Sequence, residues 1–135
     1  MRRKHQQYSV AVMTRDDDVR LFIATSIESP CCTVLYPSCD EELIHLHLFA
    51  PIDLIIIAHT EPLHLDDMLY RQVEVLRAMK IDIFVLMGHH SVHHTLRLLT
   101  EGVRQCMTFP ITSARLSMKV YGHLAQKVPF RGIVS

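Results

Sequence analysis

The sequence predicts an α/β protein with a doubly wound parallel sheet, and three features carry that prediction. The run Ile52–Ala58 has six apolar residues out of seven and is too short to span a bilayer. Such a run marks a strand buried on both faces, as in a parallel sheet covered by helices. Four further strand candidates alternate with five segments of helical period over residues 8–126, and this alternation implies parallel strands joined by right-handed helical crossovers. Polar residues and Pro62 follow the central run at once, so Ala58, His59, Thr60 and Glu61 stand at the carboxyl end of a strand, where open α/β sheets gather their chemistry.

Each element has a local reason. Tyr8–Met13 reads as the first strand. Asp16, Asp17 and Asp18 then open a helix, because carboxylates suit the amino end of the helix dipole. Val19, Phe22, Ile23 and Ile27 share its inner face. Ser29-Pro30 ends it, and Cys32–Tyr36 forms the second strand. Ser38 or Asp40 is the expected N-cap of a helix over Glu41–Phe49. After the central strand, Leu69, Val73 and Leu76 recur at helical spacing in a helix from Asp66 to Met79, and Ile81–Met87 is another buried strand. Val92, Leu96, Leu99 and Val103 continue a helical stripe expected to face the core, with Gly102 as its C-cap. Arg104–Thr108 is a short fifth strand. Thr112 or Ser113 caps a last helix whose Leu116, Val120, Tyr121 and Leu124 face inward.

Size and composition narrow the function. A chain of 135 residues with 49% hydrophobic and 21% charged side chains is one globular domain with its own core. Residues 1–7 form a polar tail, 8–126 the domain, and 127–135 (KVPFRGIVS) a linker expected to lead to a C-terminal effector domain. Fourteen basic and fourteen acidic side chains cancel, with no basic block beyond Arg2-Arg3-Lys4, so direct nucleic-acid binding is not expected. No apolar run reaches the ~18 residues of a membrane span, and no apolar leader follows the basic start. Cys31, Cys32, Cys39 and Cys106 read as reduced thiols of a cytoplasmic protein. The vicinal Cys31-Cys32 pair lacks zinc-site spacing.

This order of elements, with an Asp-rich first loop, a DLIII strand ending four residues before Pro62, Gly88 after the fourth strand, Glu101-Gly102 before the fifth and Pro110 after it, resembles the receiver domain of bacterial response regulators. The resemblance implies a flavodoxin-like five-stranded sheet of order 2-1-3-4-5. It also implies a phosphoacceptor Asp ending the third strand, an acidic pair holding Mg²⁺, a hydroxyl ending the fourth strand and a Lys before the last Pro. Those positions fall on Ala58, on Thr14 and Arg15, on Met87 and on Phe109, and all five have lost the chemistry. An acyl phosphate needs a carboxylate nucleophile, Mg²⁺ needs carboxylate oxygens, and phosphoryl transfer needs neutralising charge. The switch aromatic of the fifth strand is replaced by Cys106. The expected molecule is therefore a degenerate, non-enzymatic receiver without Mg²⁺, acting as a phosphorylation-independent module for dimerisation or partner docking in signalling or transcription control. The resemblance places its contacts on the surface of the fourth helix, fifth strand and fifth helix, with His93, Arg97, Glu101, Arg115 and Lys119 as exposed candidates.

Other readings rest on other residues. Ten histidines are many for this length, and His59, His89, His90, His93 and His94 fall near the carboxyl ends of adjacent strands. Imidazoles one helical turn apart can share a metal, which makes a Zn²⁺ or Ni²⁺ sensing site the alternative from a second class, and several histidines together can sense pH. Asp16, Asp17, Asp18 and Glu61 are candidates for a degenerate cation site, set against solvated helix-capping carboxylates. A one-residue slip would put His59 at the acceptor position of a residual phosphorelay. His45 and His47, two apart on one helix, cannot share a face and read as structural.

Overall fold

Five strand candidates become five strands, and each helix between them carries its chain back across the sheet. The computed structural model describes residues 7–60 and 66–127. In order the elements are β1 (Tyr8–Met13), α1 (Asp17–Ile27), β2 (Cys32–Leu35), α2 (Asp40–Phe49), β3 (Leu54–His59), α3 (Asp66–Ala78), β4 (Asp82–Met87), α4 (Val92–Thr100), β5 (Gln105–Thr108) and α5 (Ser113–Lys127). All neighbouring strands are parallel and the order is β2-β1-β3-β4-β5. The fold is thus the flavodoxin-like one expected. The expected tail and linker lie almost wholly outside the described residues.

Strand alternation sends side chains to two separate cores. Ile55 and Ile57 of β3 join Val85 and Met87 under α2, α3 and α4. Leu54, Ile56 and Ala58 join Val12, Phe84 and Leu86 under α1 and α5. Each fully buried Ile or Leu contributes about 1.5–3 kcal/mol, so β3 alone supplies a large share of the driving force. At its amino end the strand is fixed by polar contacts: the Asp53 carboxylate accepts from the Ser9 N–H (2.9 Å), the Asp53 N–H donates to the Ser9 carbonyl (2.8 Å), and the Ile52 N–H donates to Nδ1 of His47 (3.0 Å). The expected structural role of His47 is this bond.

The caps follow the residues available. Asp16 accepts from the N–H groups of Asp18 (2.9 Å) and Val19 (3.2 Å), as the acidic run predicts, and Thr112 accepts from the Arg115 N–H (3.1 Å). At α2 the expectation fails. Cys39 is the N-cap and makes no side-chain cap bond, and Ser38 instead donates through N–H (2.6 Å) and Oγ (2.8 Å) to the Glu42 carboxylate. Gly102 ends α4 in a Schellman motif, with its own N–H on the Leu99 carbonyl (3.1 Å) and that of Val103 on Leu98 (3.0 Å).

The stripe predicted to bury α4 faces outward. Leu98 is fully buried, whereas Val92, Leu96 and Leu99 are 61%, 60% and 43% exposed. Of the four residues expected to face inward, Val103 alone is buried, beyond the end of the helix. The spacing correctly places the other three on one flank, but the nine-residue helix is seated by Leu98 and turned so that this flank meets solvent.

Lys80 occupies the left-handed region (φ 63°) at the end of α3, where Gly is the usual residue. The left-handed conformation costs an L side chain about 1–2 kcal/mol, partly offset by the extra unfolded-state entropy of Gly. Lys80→Gly is therefore expected to stabilise the fold by about 0.5–1 kcal/mol, read as a higher urea midpoint at unchanged slope.

Candidate functional site

The carboxyl edge of the sheet brings together the residues after β1, β3, β4 and β5. Register pairs Ala58 with Leu86, His59 with Met87, and Met87 with Thr108. The Gly88 N–H donates to the His59 carbonyl (3.0 Å) and the Phe109 N–H to the Met87 carbonyl (2.9 Å). A Cβ at Gly88 would lie 2.4 Å from the Thr60 carbonyl oxygen, so only Gly lets these two strand ends approach so closely.

What fills this edge is packing. Ala58 is 6% exposed and belongs to the apolar cluster of Val12, Ile56 and Leu86. Phe109 borders the same cluster and leans on Phe22, with ring centroids 6.1 Å apart. Thr14 spends its hydroxyl on the Asp16 N–H (3.2 Å), while its carbonyl accepts from the Arg20 guanidinium (2.9 Å). Arg20 also pairs with Asp17 (2.5 Å), and its Nε is shut away from solvent without a hydrogen-bond partner among the described residues. Arg15 is exposed. Of the acidic run, Asp16 is used in capping and Asp17 on Arg20; Glu61 lies outside the described residues. A hard divalent cation wants several carboxylate oxygens, and this edge offers a guanidinium in their place. Among the described residues, no group of three or more His, Cys, Asp or Glu side chains gathers here to hold Mg²⁺.

On the other face Met87 is fully buried and Cys106 is half-buried beside it. Burial pushes the Cys106 thiol up to about 11, and burial likewise raises that of Cys32. Neither Met87 nor Cys106 offers the hydroxyl and aromatic pair of a receiver switch.

Of the five candidate histidines, His93 and His94 meet ring to ring, with centroids 5.6 Å apart. His89, His90 and His93 are exposed, and His59 is half-buried at the end of β3. His94 is diverted to α3, its Nδ1 2.8 Å from the Tyr70 hydroxyl, and the Arg97 guanidinium sits 3.7 Å above the centroid of the same Tyr70 ring. Among the described residues no three His, Cys, Asp or Glu side chains come together as a metal-ligand set.

The five surface candidates divide. Arg97 and Glu101 line a groove of about 390 Å³ with Tyr70, Arg71 and Glu74, on the α3 side of α4. His93 is exposed on α4, Arg115 is exposed on α5 and Lys119 half-buried there. Sequence reasoning missed the Tyr70–His94–Arg97 contact and the pairing of His123 with Asp82 (2.9 Å), which Arg104 also approaches (3.5 Å). Both join residues remote in the chain, and no local pattern announces them.

Sheet order, helix placement and the position of this edge are those of response regulator receiver domains, and the chain has that fold. Among solved structures it is similar to a response regulator from Thermotoga maritima (13% identity, 88% of this chain and 98% of that one, TM-score 0.77). It is also similar to the receiver domain of a Francisella response regulator (20% identity, 90% and 99%, TM-score 0.71) and to the CheY-like protein tadZ of Pseudomonas aeruginosa (15% identity, 87% and 99%, TM-score 0.73). No protein-family model matches the sequence, and no characterised protein matches it by sequence comparison. No helix among the described residues is long and apolar enough to cross a membrane.

Two measurements test the packing of this edge. Gly88→Ala forces a methyl group onto backbone, and overpacking of this kind costs about 1–3 kcal/mol, read as a lower melting temperature. Ellman's reagent at pH 8 is expected to titrate exposed Cys39 at once, and Cys32 and Cys106 only after denaturant is added. Because the folded-state value of Cys106 is raised, its contribution to stability is complete below the ordinary thiol range and is lost as pH rises through about 11; Cys106→Ala removes that alkaline loss.

Proposed function

We propose that this chain is a phosphorylation-independent docking module on a receiver fold, non-enzymatic and cytoplasmic, serving bacterial signalling or transcription control. One observation carries the reading. The penultimate position of β3 is a methyl group, Ala58, sealed in an apolar cluster, with Phe109 where neutralising charge is needed. A nucleophilic carboxylate is absent from that spot, and a phosphoryl group brought there would meet hydrocarbon instead of cation.

A module without a covalent switch must act through a surface that is always presented. The Tyr70–His94–Arg97 contact fixes one flank of α4 against α3, and the other flank holds Val92, Leu96 and Leu99 in solvent. Exposed apolar side chains set side by side on a helix are the usual mark of a protein-binding surface. The docking surface is accordingly assigned to α4, β5 and α5.

Incubation with acetyl phosphate and Mg²⁺, followed by intact mass measurement, is expected to show the unmodified chain alone. A phosphoryl adduct, on His59 or elsewhere, would refute this reading.

A further inference from the structure

We propose that the amino edge of the sheet holds a binding site for a small organic phosphate, a monoester of the sugar phosphate or nucleotide kind, in the cavity between the end of α3 and the turn from α4 to β5. This site lies at the opposite edge of the sheet from Ala58 and does not depend on the docking reading above.

The cavity measures about 540 Å³, within the size range of small-molecule sites and with room for more than a bare anion. Three side chains from three segments bring positive charge to it. Arg77 comes from the last turn of α3, Lys80 from the turn that follows, and Arg104 from the residue before β5. The carboxylate in the same wall, Asp82, is already engaged by His123 (2.9 Å) and approached by Arg104 (3.5 Å). Among the described residues neither Arg77 nor Lys80 is paired with a carboxylate. A cleft walled by an excess of one charge concentrates ligands of the other.

Two local features hold these cations at the cavity. Gly102 (φ 107°) leaves the space that the Arg77 stem fills, since a Cβ there would lie 2.6 Å from Arg77 Cδ. Beyond that crossing, Nη1 of Arg77 donates to the Glu101 carbonyl (2.5 Å). This bond uses one of the five guanidinium donors and anchors the head, and the others are left for phosphate oxygens. Lys80 is the second feature. Its backbone stands in the left-handed region (φ 63°), where Gly would relieve the strain, and its N–H closes the helix end on the Arg77 carbonyl (2.9 Å). A strained residue whose side chain lines a charged cavity points to use of that side chain.

The lining selects the ligand. Guanidinium groups match phosphate oxygens in pairs and the ammonium adds a point charge. Ile81 and Val103 are buried behind the cavity and Leu99 is 43% exposed beside it, so apolar surface adjoins the charge and suits the organic part of an ester. An uncharged ligand would leave the cations uncompensated. Inorganic phosphate would leave the apolar surface uncovered.

Isothermal titration of the whole chain with AMP, ribose 5-phosphate, inorganic phosphate and adenosine tests the assignment. AMP or ribose 5-phosphate is expected to bind at least about tenfold more tightly than inorganic phosphate, with affinity that falls as salt rises, and adenosine is expected not to bind. Lys80→Gly and Arg104→Gln, both on the surface, are each expected to weaken the bound ester about tenfold, the loss of one charge-assisted hydrogen bond, while Arg115→Gln on α5 leaves it unchanged. Lys80→Gly also gives a readout that a merely structural role cannot: the urea midpoint rises while affinity falls. Absence of binding by both esters, adenosine binding as tightly as AMP, or inorganic phosphate binding as tightly as the esters would overturn the proposal. So would an ester affinity indifferent to both Lys80→Gly and Arg104→Gln.

Discussion

Coverage of β3 on both faces is the constraint from which the rest of the structure follows. Leu54, Ile55, Ile56, Ile57 and Ala58 are all buried, divided between two cores that each need the strand for half of their packing. A parallel strand enclosed this way tolerates an ionised group only where charge and hydrogen bonds compensate it. At the carboxyl end the neighbours of Ala58 are Val12, Ile56 and Leu86, which compensate nothing. The methyl group is therefore consistent with its surroundings, and one change back to a carboxylate would not rebuild a phosphoacceptor. Nearby, the Arg20 guanidinium lies on the Thr14 carbonyl and is tied by Asp17.

Away from the carboxyl edge, polar groups fasten the framework. Asp53 clamps the start of β3 to β1, and Asp82 at the start of β4 meets His123 of α5, whose ring stands edge-on to Phe84. The Tyr121 hydroxyl closes the carboxyl end of α1 onto α5. Buried or half-buried polar atoms in these places are satisfied by named partners, which is the condition for their being neutral or favourable to stability. Each of them works at an element boundary, where backbone donors and acceptors would otherwise be left over.

Much of this was legible in the residues. The alternation of buried runs with helical periods gave the layers, and the distance from the central strand to Pro62 located Ala58 at its carboxyl end before any coordinates. The α4 stripe was not legible, for a physical reason: spacing of four and three says that Val92, Leu96 and Leu99 share a flank, but not which flank the sheet will choose. Leu98 makes that choice, because one fully buried Leu and the Schellman contact to Val103 seat the helix. Cys39 as the cap of α2 was equally hidden, since Ser38 and Asp40 are both better cap formers and the Glu42 carboxylate outcompetes the cap by taking both donors of Ser38. The Tyr70–His94 bond was hidden as well: Tyr70 lies eleven residues beyond the last of β3, on α3, and the His94 ring that it meets also touches that of His93.

The Tyr70–His94 contact bears on how the proposed docking module would work without a switch. A regulated surface needs two arrangements of nearly equal free energy, whereas an unregulated one gains from having a single arrangement. Here α4 is held on one side by a hydrogen bond and a cation over an aromatic ring, beneath by Leu98, and at its end by the Gly102 turn, while Met87 occupies in full the space where a hydroxyl would report on the edge. A helix fixed at three points presents its outer flank already ordered, so a partner loses less conformational freedom on binding. Under the proposed docking reading, apolar packing at the carboxyl edge and an exposed strip on α4 belong together: with hydrocarbon around Ala58, the strip is presented without waiting for a charge at that edge.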